Sequence, residues 1–241
     1  MLRHRSPRTL LLAPAVGLLL ALTGCGTEGA DGVAGDPTSG APPPTDGPCT
    51  YVPGGEAARA VELPPAEPTY SGEIPAVIRT SIGDLTLTLD ADAAPCTVSS
   101  FASLVEQGYY DGTSCHRQGN DPGFEFLQCG DPYFDPEATD PDPRTGTGNP
   151  GYTIPDEIDG TETYPAGTLA MANTGAPDSG GGQFFIVFGD SGFDPDYTVW
   201  GRLDDASLAT LREAASSGND GPAGAGGRPN TPVTFTAIEI G

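Results

Sequence analysis

Apolar residues recur at two distinct periods along this chain. Leu85, Leu87 and Leu89 alternate with Thr86 and Thr88, a period of two that predicts a strand over 85–89, and Ala76 to Arg79 supplies a partner across a Ser81-Ile82-Gly83-Asp84 turn. The period then becomes helical. Val98, Phe101, Ala102 and Val105 stand at i, i+3, i+4 and i+7, with Thr97 suited to the N-cap and Gly108 to the stop, which predicts a helix of about three turns. A turn at Tyr110 to Thr113 leads into a strand presenting Arg117, and Phe124 to Gly130 returns beside it. Phe184 to Phe188 reads as a further strand. A second helix fits Ala206 to Ala215 after Asp204-Asp205, with Leu208 and Leu211 on one face, and Val233 to Ile240 reads as a closing strand. Many short strands with two separated helices predict a mainly β fold, a closed antiparallel barrel capped at its ends.

Upstream of residue 72, where this folded domain (72–241) begins, the pattern fades. Residues 49–71 contain Tyr51, Val52, Val61 and Leu63, which can pack on a surface, but Pro64, Pro65 and Pro68 oppose regular structure, so an irregular strap is expected. Residues 25–48 are mostly Gly, Pro, Thr, Ser, Asp and Ala with Val33 as the one sizeable apolar side chain, a composition that cannot offset the entropy of ordering and predicts a flexible tether. Residues 1–24 open with Arg3, His4, Arg5 and Arg8 and continue in an apolar run from Leu10 to Leu22, too short for a comfortable membrane span and organised like an export signal. Its end, Leu22-Thr23-Gly24-Cys25, resembles the lipobox of bacterial lipoproteins, which implies cleavage before Cys25 and lipid attachment to it. A plain secretory signal is the alternative.

Charge narrows the function. The 241 residues hold 33 Asp plus Glu against 10 Lys plus Arg, all of them arginine, for a formal net charge of −23. A surface so anionic repels phosphate backbones, so nucleic acid is not an expected partner. Two histidines exist, His4 in the leader and His116. No Ser/His/Asp array can be assembled from them, and a zinc site on His116, Cys115 and Cys129 would lack its fourth ligand. No metal and no cofactor is therefore expected. The insertion Asp131 to Arg144 is rich in Asp and Pro, but it lacks the Gly and terminal Glu of an EF-hand and reads as a solvated loop; calcium binding through Asp135 to Asp142 is a weaker alternative.

The segment Gly167 to Gly189 carries the most chemistry. An apolar run ends in Asn173, a loop of small residues spans Gly175 to Gly182, and Gln183 precedes the next apolar strand. One carboxamide at each mouth of the loop can donate to and accept from an extended backbone. Phe185, two residues beyond Gln183, falls on the same face of the strand. Such an arrangement describes a peptide groove. A phosphate cradle is disfavoured because neither a following Lys nor GxGxxG spacing is present; an ordinary hairpin with a loose turn remains open.

Motifs along the chain make the resemblance specific. FxxLxxxGYYDGTxxHR at Phe101 to Arg117, LQCGDP at Leu127 to Pro132, GTGxxGY at Gly146 to Tyr152, Glu157, LAMAN at Leu169 to Asn173, GGQFFI at Gly181 to Ile186 and YTVWG at Tyr197 to Gly201 together resemble the cyclophilin-type peptidyl-prolyl cis/trans isomerases, over residues from about 74 to 241 and most closely their secreted bacterial branch. The resemblance implies an eight-stranded barrel with two helices and no cofactor. It makes Arg117 the catalytic arginine, Gln128 and Gln183 the groove glutamines, Ala172 and Asn173 the pair that binds substrate backbone, and Phe126, Phe185, Phe193 and Tyr197 the surroundings of the proline. Departures are informative. Phe193 stands where the family usually has leucine, Tyr197 where many members have histidine, and Gly192 where cyclosporin-sensitive members often have tryptophan, which implies weak cyclosporin binding. Glu125 replaces the usual pocket aromatic, and Phe124 takes its place only if the strand bulges.

The chemistry fits those residues. Amide resonance gives an X-Pro bond a rotational barrier of about 18 to 20 kcal/mol, although its two isomers differ by only about 1 kcal/mol. Twisting the bond leaves a lone pair on the proline nitrogen, and a guanidinium that donates to it favours the twisted state over both planar ones. Arg117 stays charged at any working pH and offers several donors, whereas His116, on the opposite face of the strand, is expected to be structural. With Cys25 lipidated, Cys49, Cys96, Cys115 and Cys129 allow three pairings. Cys115–Cys129 across the two strands and Cys49–Cys96 pinning the strap are the expected ones, with free buried thiols as the alternative. The expected protein is a monomeric, lipid-anchored, extracytoplasmic isomerase acting on proline-containing polypeptides; a catalytically silent module that holds such peptides is the alternative.

Overall fold

The structure is a computed structural model, and it describes residues 47–241. The expected leader, the expected lipidation position Cys25 and the expected tether up to residue 46 lie outside the described residues. Ten strands and two helices follow one another as β1 (Val52–Pro53), β2 (Glu73–Thr80), β3 (Gly83–Asp90), α1 (Pro95–Glu106), β4 (Arg117–Asp121), β5 (Phe124–Cys129), β6 (Tyr152–Thr153), β7 (Thr168–Met171), β8 (Phe184–Val187), β9 (Val199–Leu203), α2 (Asp205–Ala215) and β10 (Phe235–Ile240). Eight of the strands form one antiparallel sheet in the order β10-β2-β3-β9-β7-β8-β5-β4, and β1 pairs with β6 apart from it.

The expected closed barrel is corrected by this topology. The sheet curls into an open half-barrel whose edge strands, β10 and β4, share no ladder. Across the gap the chain makes isolated bridges, Ser114↔Thr234 and Gln118↔Gly227. Cys115 N donates to the Val233 carbonyl (2.9 Å) and Phe235 N to that of Thr113 (2.8 Å), so the residues leading into the edge strands meet while the strands themselves diverge. For the same reason β10 begins at Phe235 rather than at Val233.

Inside the curl lies the main core. Ile78, Leu85, Leu87, Leu89, Phe101, Leu104, Leu127, Leu169, Phe184, Ile186, Trp200 and Phe235 are buried there. Phe101 and Phe184 pack edge to face at 5.8 Å, and Phe101 lies 4.7 Å from Trp200. The alternation of Leu85, Leu87 and Leu89 sends all three inward and leaves Thr86 exposed and Thr88 half-buried.

Helix α1 starts earlier than its sequence suggests. Its N-cap is Ala94 with Pro95 in the first turn, and no side chain within the segment caps it. Thr97 is not the cap; it lies inside the helix, buried, with its hydroxyl unpartnered. The carboxylate of Glu157, 60 residues downstream, accepts from the backbone N–H groups of both Cys96 (2.8 Å) and Thr97 (2.8 Å). A negative charge on two orphan donors at the positive end of the helix dipole does the work of a local cap. Helix α2 is capped as its sequence suggests, by Asp204, which accepts from Ser207 N at 2.7 Å.

The strap wraps α1 without regular structure beyond β1. Cys49 is bonded to Cys96 at the start of α1 and Cys115 to Cys129 between the β4 and β5 ends. Arg59 donates to the carbonyls of Gly108, Tyr109 and Asp111, Gln107 exchanges two bonds with the Glu62 backbone, and Thr69 N donates to Ser99 Oγ at 3.0 Å. The strap contact accounts for the burial of Ser99, and Ser100 is covered by Tyr152, whose hydroxyl it meets at 2.9 Å, on the side of α1 that an amphipathic reading leaves to solvent.

Two expectations follow. The Cys49–Cys96 bridge closes a loop of 47 residues, so a Cys49→Ser, Cys96→Ser variant is expected to lose roughly 2 to 4 kcal/mol by loop-closure entropy, read as a lower midpoint in urea with the remaining bridge intact. His116 is buried at 8% exposure with Nδ1 unpartnered, and burial, with Arg117 adding repulsion, lowers its pKa from 6.5 to about 4. The unfolded chain therefore takes up a proton near pH 6.5 that the folded chain refuses. Stability is expected to fall as pH drops from 6.5 towards 4, at about 1.4 kcal/mol per pH unit from this group, and this share of the slope is expected to be absent in His116→Phe when denaturation is followed across that range.

Candidate active site

Strand alternation places a second apolar cluster on the outer face of the central strands. Along β8, Phe184 and Ile186 point into the main core while Phe185 and Val187 point out; along β5, Leu127 and Cys129 point in while Phe126 points out. Phe126, Tyr164, Ala170, Phe185 and Val187 are buried in this outer cluster, with Phe124, Ala172, Phe193, Tyr197 and Val199 packed against it. Both faces of β5, β7 and β8 are thus covered. That explains why Phe184 to Val187 is an unbroken apolar run with all four residues buried.

Register fixes the rest. Arg117 pairs with Gln128, Gln128 with Phe185, and Phe185 with Ala170, so one cross-strand row runs from the guanidinium to the centre of the aromatic face. The next row carries Gly119, Phe126 and Val187. A Cβ on Gly119 would lie 2.7 Å from the Phe126 ring and 2.8 Å from that of Phe124, so the absent side chain leaves room for both rings. The β4–β5 ladder runs from Arg117↔Gln128 to Asp121↔Phe124 without a shift. Phe124 therefore joins Phe126 and Gln128 on the outer face by plain alternation, without the bulge on which the family resemblance makes its place in the pocket conditional. Phe124 and Phe126 pack at 4.8 Å, and each lies 5.7 Å from Phe193. Phe193 is also 5.4 Å from Phe185, and Tyr197 is 5.2 Å from Phe185.

Arg117 lies beside this face, its guanidinium carbon 5.0 Å from the Phe126 centroid and 5.6 Å from that of Phe124. Its partners are neutral. Nη1 donates to Gln128 Oε1 at 3.4 Å, and Nε and Nη2 donate to the Ala225 carbonyl at 3.1 and 2.9 Å. In a chain with 33 carboxylates, the ion pairs among the described residues join Arg79, Arg144 and Arg228 to acids and leave Arg117 out. Burial lowers its pKa from the ordinary arginine value, yet an arginine remains a cation across the working range. A half-buried cation held by carbonyl oxygens keeps donors for a further acceptor and has no counter-ion to displace.

The carboxamides are arranged differently from a pair of open jaws. Gln128 Nε2 donates to Gln183 Oε1 at 2.9 Å, and Gln183 Nε2 donates to the carbonyls of Gly146 (3.1 Å) and Gly148 (2.8 Å). Asn173 Nδ2 donates to the Asp196 carbonyl at 2.8 Å while its Oδ1 accepts from Gly175 N at 3.0 Å. Ala172 N donates to the Gln183 carbonyl at 3.0 Å. The amides thus fix the walls of the groove. The loop that receives Gln183 is itself anchored on Asp131, a fully buried carboxylate that accepts from Tyr133 N and Gly146 N; burial raises its pKa above the usual aspartate value, partly offset by these bonds. Gln128, Ala172, Asn173 and Gln183 line a cavity of about 540 Å³ whose far side includes Gly54 and Gly55 of the strap.

Tyr164 was not singled out by the sequence. It is 2% exposed, lies 5.7 Å from Phe193 and 6.2 Å from Phe185, and its hydroxyl both donates to the Tyr197 carbonyl (3.1 Å) and accepts from Tyr197 N (3.0 Å). One side chain thereby pins the backbone of the segment bearing Phe193 and Tyr197. Nothing in its surroundings, Glu162-Thr163-Tyr164-Pro165, carries a periodic signal that could have identified it.

A family model described as "Cyclophilin type peptidyl-prolyl cis-trans isomerase/CLD" matches residues 76–240. The probable peptidyl-prolyl cis-trans isomerase B of Mycobacterium tuberculosis (strain ATCC 25618 / H37Rv) is 38% identical over 205 residues, covering 79% of this chain and 63% of that protein; this chain thus spans less than two thirds of that relative's length. The protein of the same name from Mycobacterium leprae is 38% identical over 212 residues, 80% of this chain and 66% of the relative. Among solved structures, a cyclophilin-type peptidyl-prolyl cis-trans isomerase from Cryptosporidium parvum superposes with a TM-score of 0.55 at 28% identity, covering 70% of this chain and 98% of that one. The same protein, crystallised in the presence of the dipeptide Ala-Pro, gives 0.52 at 29% identity, covering 69% and 98%. With its outer aromatic face, its row from Arg117 to Phe185 and a family match over 165 of its residues, this chain belongs to the cyclophilin-type peptidyl-prolyl cis-trans isomerases.

Proposed function

We propose that the protein accelerates cis/trans rotation about X-Pro bonds in exported polypeptides. The proline ring rests on the face made by Phe126, Phe185 and Phe193, with Phe124, Tyr164 and Tyr197 closing its sides. The peptide backbone preceding the proline runs past Gln128 towards Ala172, Asn173 and Gln183. Arg117 donates to the proline nitrogen as the amide twists. The single observation carrying this reading is a guanidinium lying beside an outward-facing aromatic cluster and held by neutral acceptors alone.

The rate enhancement comes from differential stabilisation. In either planar isomer the nitrogen lone pair is delocalised and accepts weakly; at the twisted midpoint it is localised and basic. A fixed cationic donor therefore favours the midpoint most, and its half-buried setting strengthens the interaction relative to water. The acidic surroundings add long-range attraction for basic segments of client chains. An extracytoplasmic, lipid-anchored location is supported by the leader and Cys25 pattern and by two disulfides, which persist in oxidising compartments.

Arg117→Ala is expected to lower kcat about 10² to 10³-fold, the usual cost of removing one transition-state donor, in an isomerisation assay on an Ala-Pro peptide, with the circular dichroism spectrum and melting temperature unchanged. Activity retained in this variant would overturn the mechanism, and an inactive wild type that still binds the peptide would support the silent module. Tyr164→Phe keeps the ring but leaves Tyr197 N and O without their shared partner. It is expected to weaken peptide binding about three- to tenfold, about 1 kcal/mol in total and so of the order of one neutral hydrogen bond, with kcat less affected than KM.

A further inference from the structure

We infer that the glycine-rich loop between α2 and β10, Asn219 to Arg228, is a positioning clamp for Arg117 that presents the Ala225 carbonyl to two of its N–H groups. The inference rests on the proposed role of Arg117 in isomerisation and concerns how that side chain is aimed.

By composition the stretch NDGPAGAGGRPN is a linker, but its bonds are those of a built element. Gln118 N donates to the Gly227 carbonyl at 2.7 Å and Gly227 N returns to Gln118 O at 3.0 Å, which attaches the loop to β4 one residue after Arg117. Gly224 N donates to Asp121 Oδ2 at 2.6 Å at the far end of the same strand. The two ends of the loop are closed by Asp220 and Arg228, through a 3.3 Å ion pair and the bonds from Arg228 N to Asp220 Oδ1 and from Asp220 N to the Arg228 carbonyl. Ala225 N donates to the Pro222 carbonyl at 3.2 Å, a turn that fixes the peptide carrying the acceptor.

Glycine is required where the clamp meets the strand. Gly226 has φ +71°, and a Cβ there would lie 2.7 Å from the Gln118 carbonyl oxygen and 3.5 Å from Arg117 Nε. Both the backbone conformation and the close approach exclude a side chain.

The count of donors gives the arrangement its consequence. A guanidinium has five N–H groups. Those on Nε and one on Nη2 go to Ala225, and one on Nη1 goes to Gln128 Oε1. Two remain, one on each terminal nitrogen, for a substrate. Held at both ends by neutral oxygens, the group cannot rotate about its long side chain without breaking three bonds, so its orientation is fixed before substrate arrives.

The test compares Gly226→Ala, Asp121→Ala and Arg117→Ala with wild type and with Ala223→Ser, an exposed change in the same loop that leaves the clamp alone. Kinetics and peptide affinity are measured beside the ¹⁵N–¹Hε resonance of Arg117. Gly226→Ala is expected to lower kcat about ten- to a hundredfold, as misplacement of a reacting group does, with peptide affinity unchanged and the Nε–H resonance shifted and exchanging faster with water. Asp121→Ala, which releases the loop without adding bulk, is expected to move both readouts in the same direction by less, and it serves if Gly226→Ala does not fold. Wild-type kcat and resonance in both loop variants, with Arg117→Ala inactive, would overturn the clamp and leave the proposed mechanism standing. Full activity in Arg117→Ala would overturn both.

Discussion

The molecule depends on a register. β5, β7 and β8 are apolar on both faces, so each must be paired with its neighbours in one alignment for Phe184 and Ile186 to reach the core while Phe185 and Val187 reach the outer cluster. A slip of one residue would exchange those sets and separate Arg117 from Gln128. Main-chain hydrogen bonds alone do not select between alignments. The choice is made by volume, because Trp200, Phe101 and Phe184 interlock on the inner side while the rings of Phe124 and Phe126 occupy the space above Gly119 on the outer side. Stability and site geometry are consequently set by the same alignment.

Around that sheet, long-range contacts replace local ones wherever an element ends. Glu157 caps α1 from a distant loop, the strap covers the outer side of α1, and Asp131 organises the turn that receives Gln183. Each uses a buried or half-buried carboxylate or guanidinium to satisfy several backbone groups at once, where an unpaired donor would cost about 1 to 3 kcal/mol. The insertion containing Asp131 is ordered by the same means. Arg144 stacks on Tyr133 at 3.9 Å and pairs with Asp142 at 2.7 Å, so a stretch that reads as a solvated loop has an internal frame.

Electrostatics follows from the neutral environment of one cation. The chain is strongly acidic, yet the acceptors nearest Arg117 are an amide oxygen and a main-chain carbonyl. A carboxylate in either place would bind the guanidinium more tightly and draw its donors away from a weakly basic nitrogen. Neutral acceptors orient the group while leaving its charge uncompensated, as the proposed donation to a transient lone pair requires.

The sequence by itself determined the alternating strands and both helices, which were encoded in short-range periodicity, and its contiguous motifs put Arg117, Gln128, Gln183 and Phe185 forward as one site; of the three cysteine pairings it allowed, the structure holds the expected one. Phe124 was legible only in part, since its face depends on whether the β4–β5 ladder shifts. Tertiary structure decided the rest. It left the barrel open, since the residues before β4 and β10 meet while the strands diverge; it moved the cap of α1 from Thr97 to Glu157; and it brought Tyr164 and Ala225 to the site. These last contacts join residues 33 and 108 positions apart through a hydroxyl and a backbone carbonyl. A main-chain carbonyl is present at every residue and leaves no trace in sequence, so only the fold could choose which one faces the guanidinium.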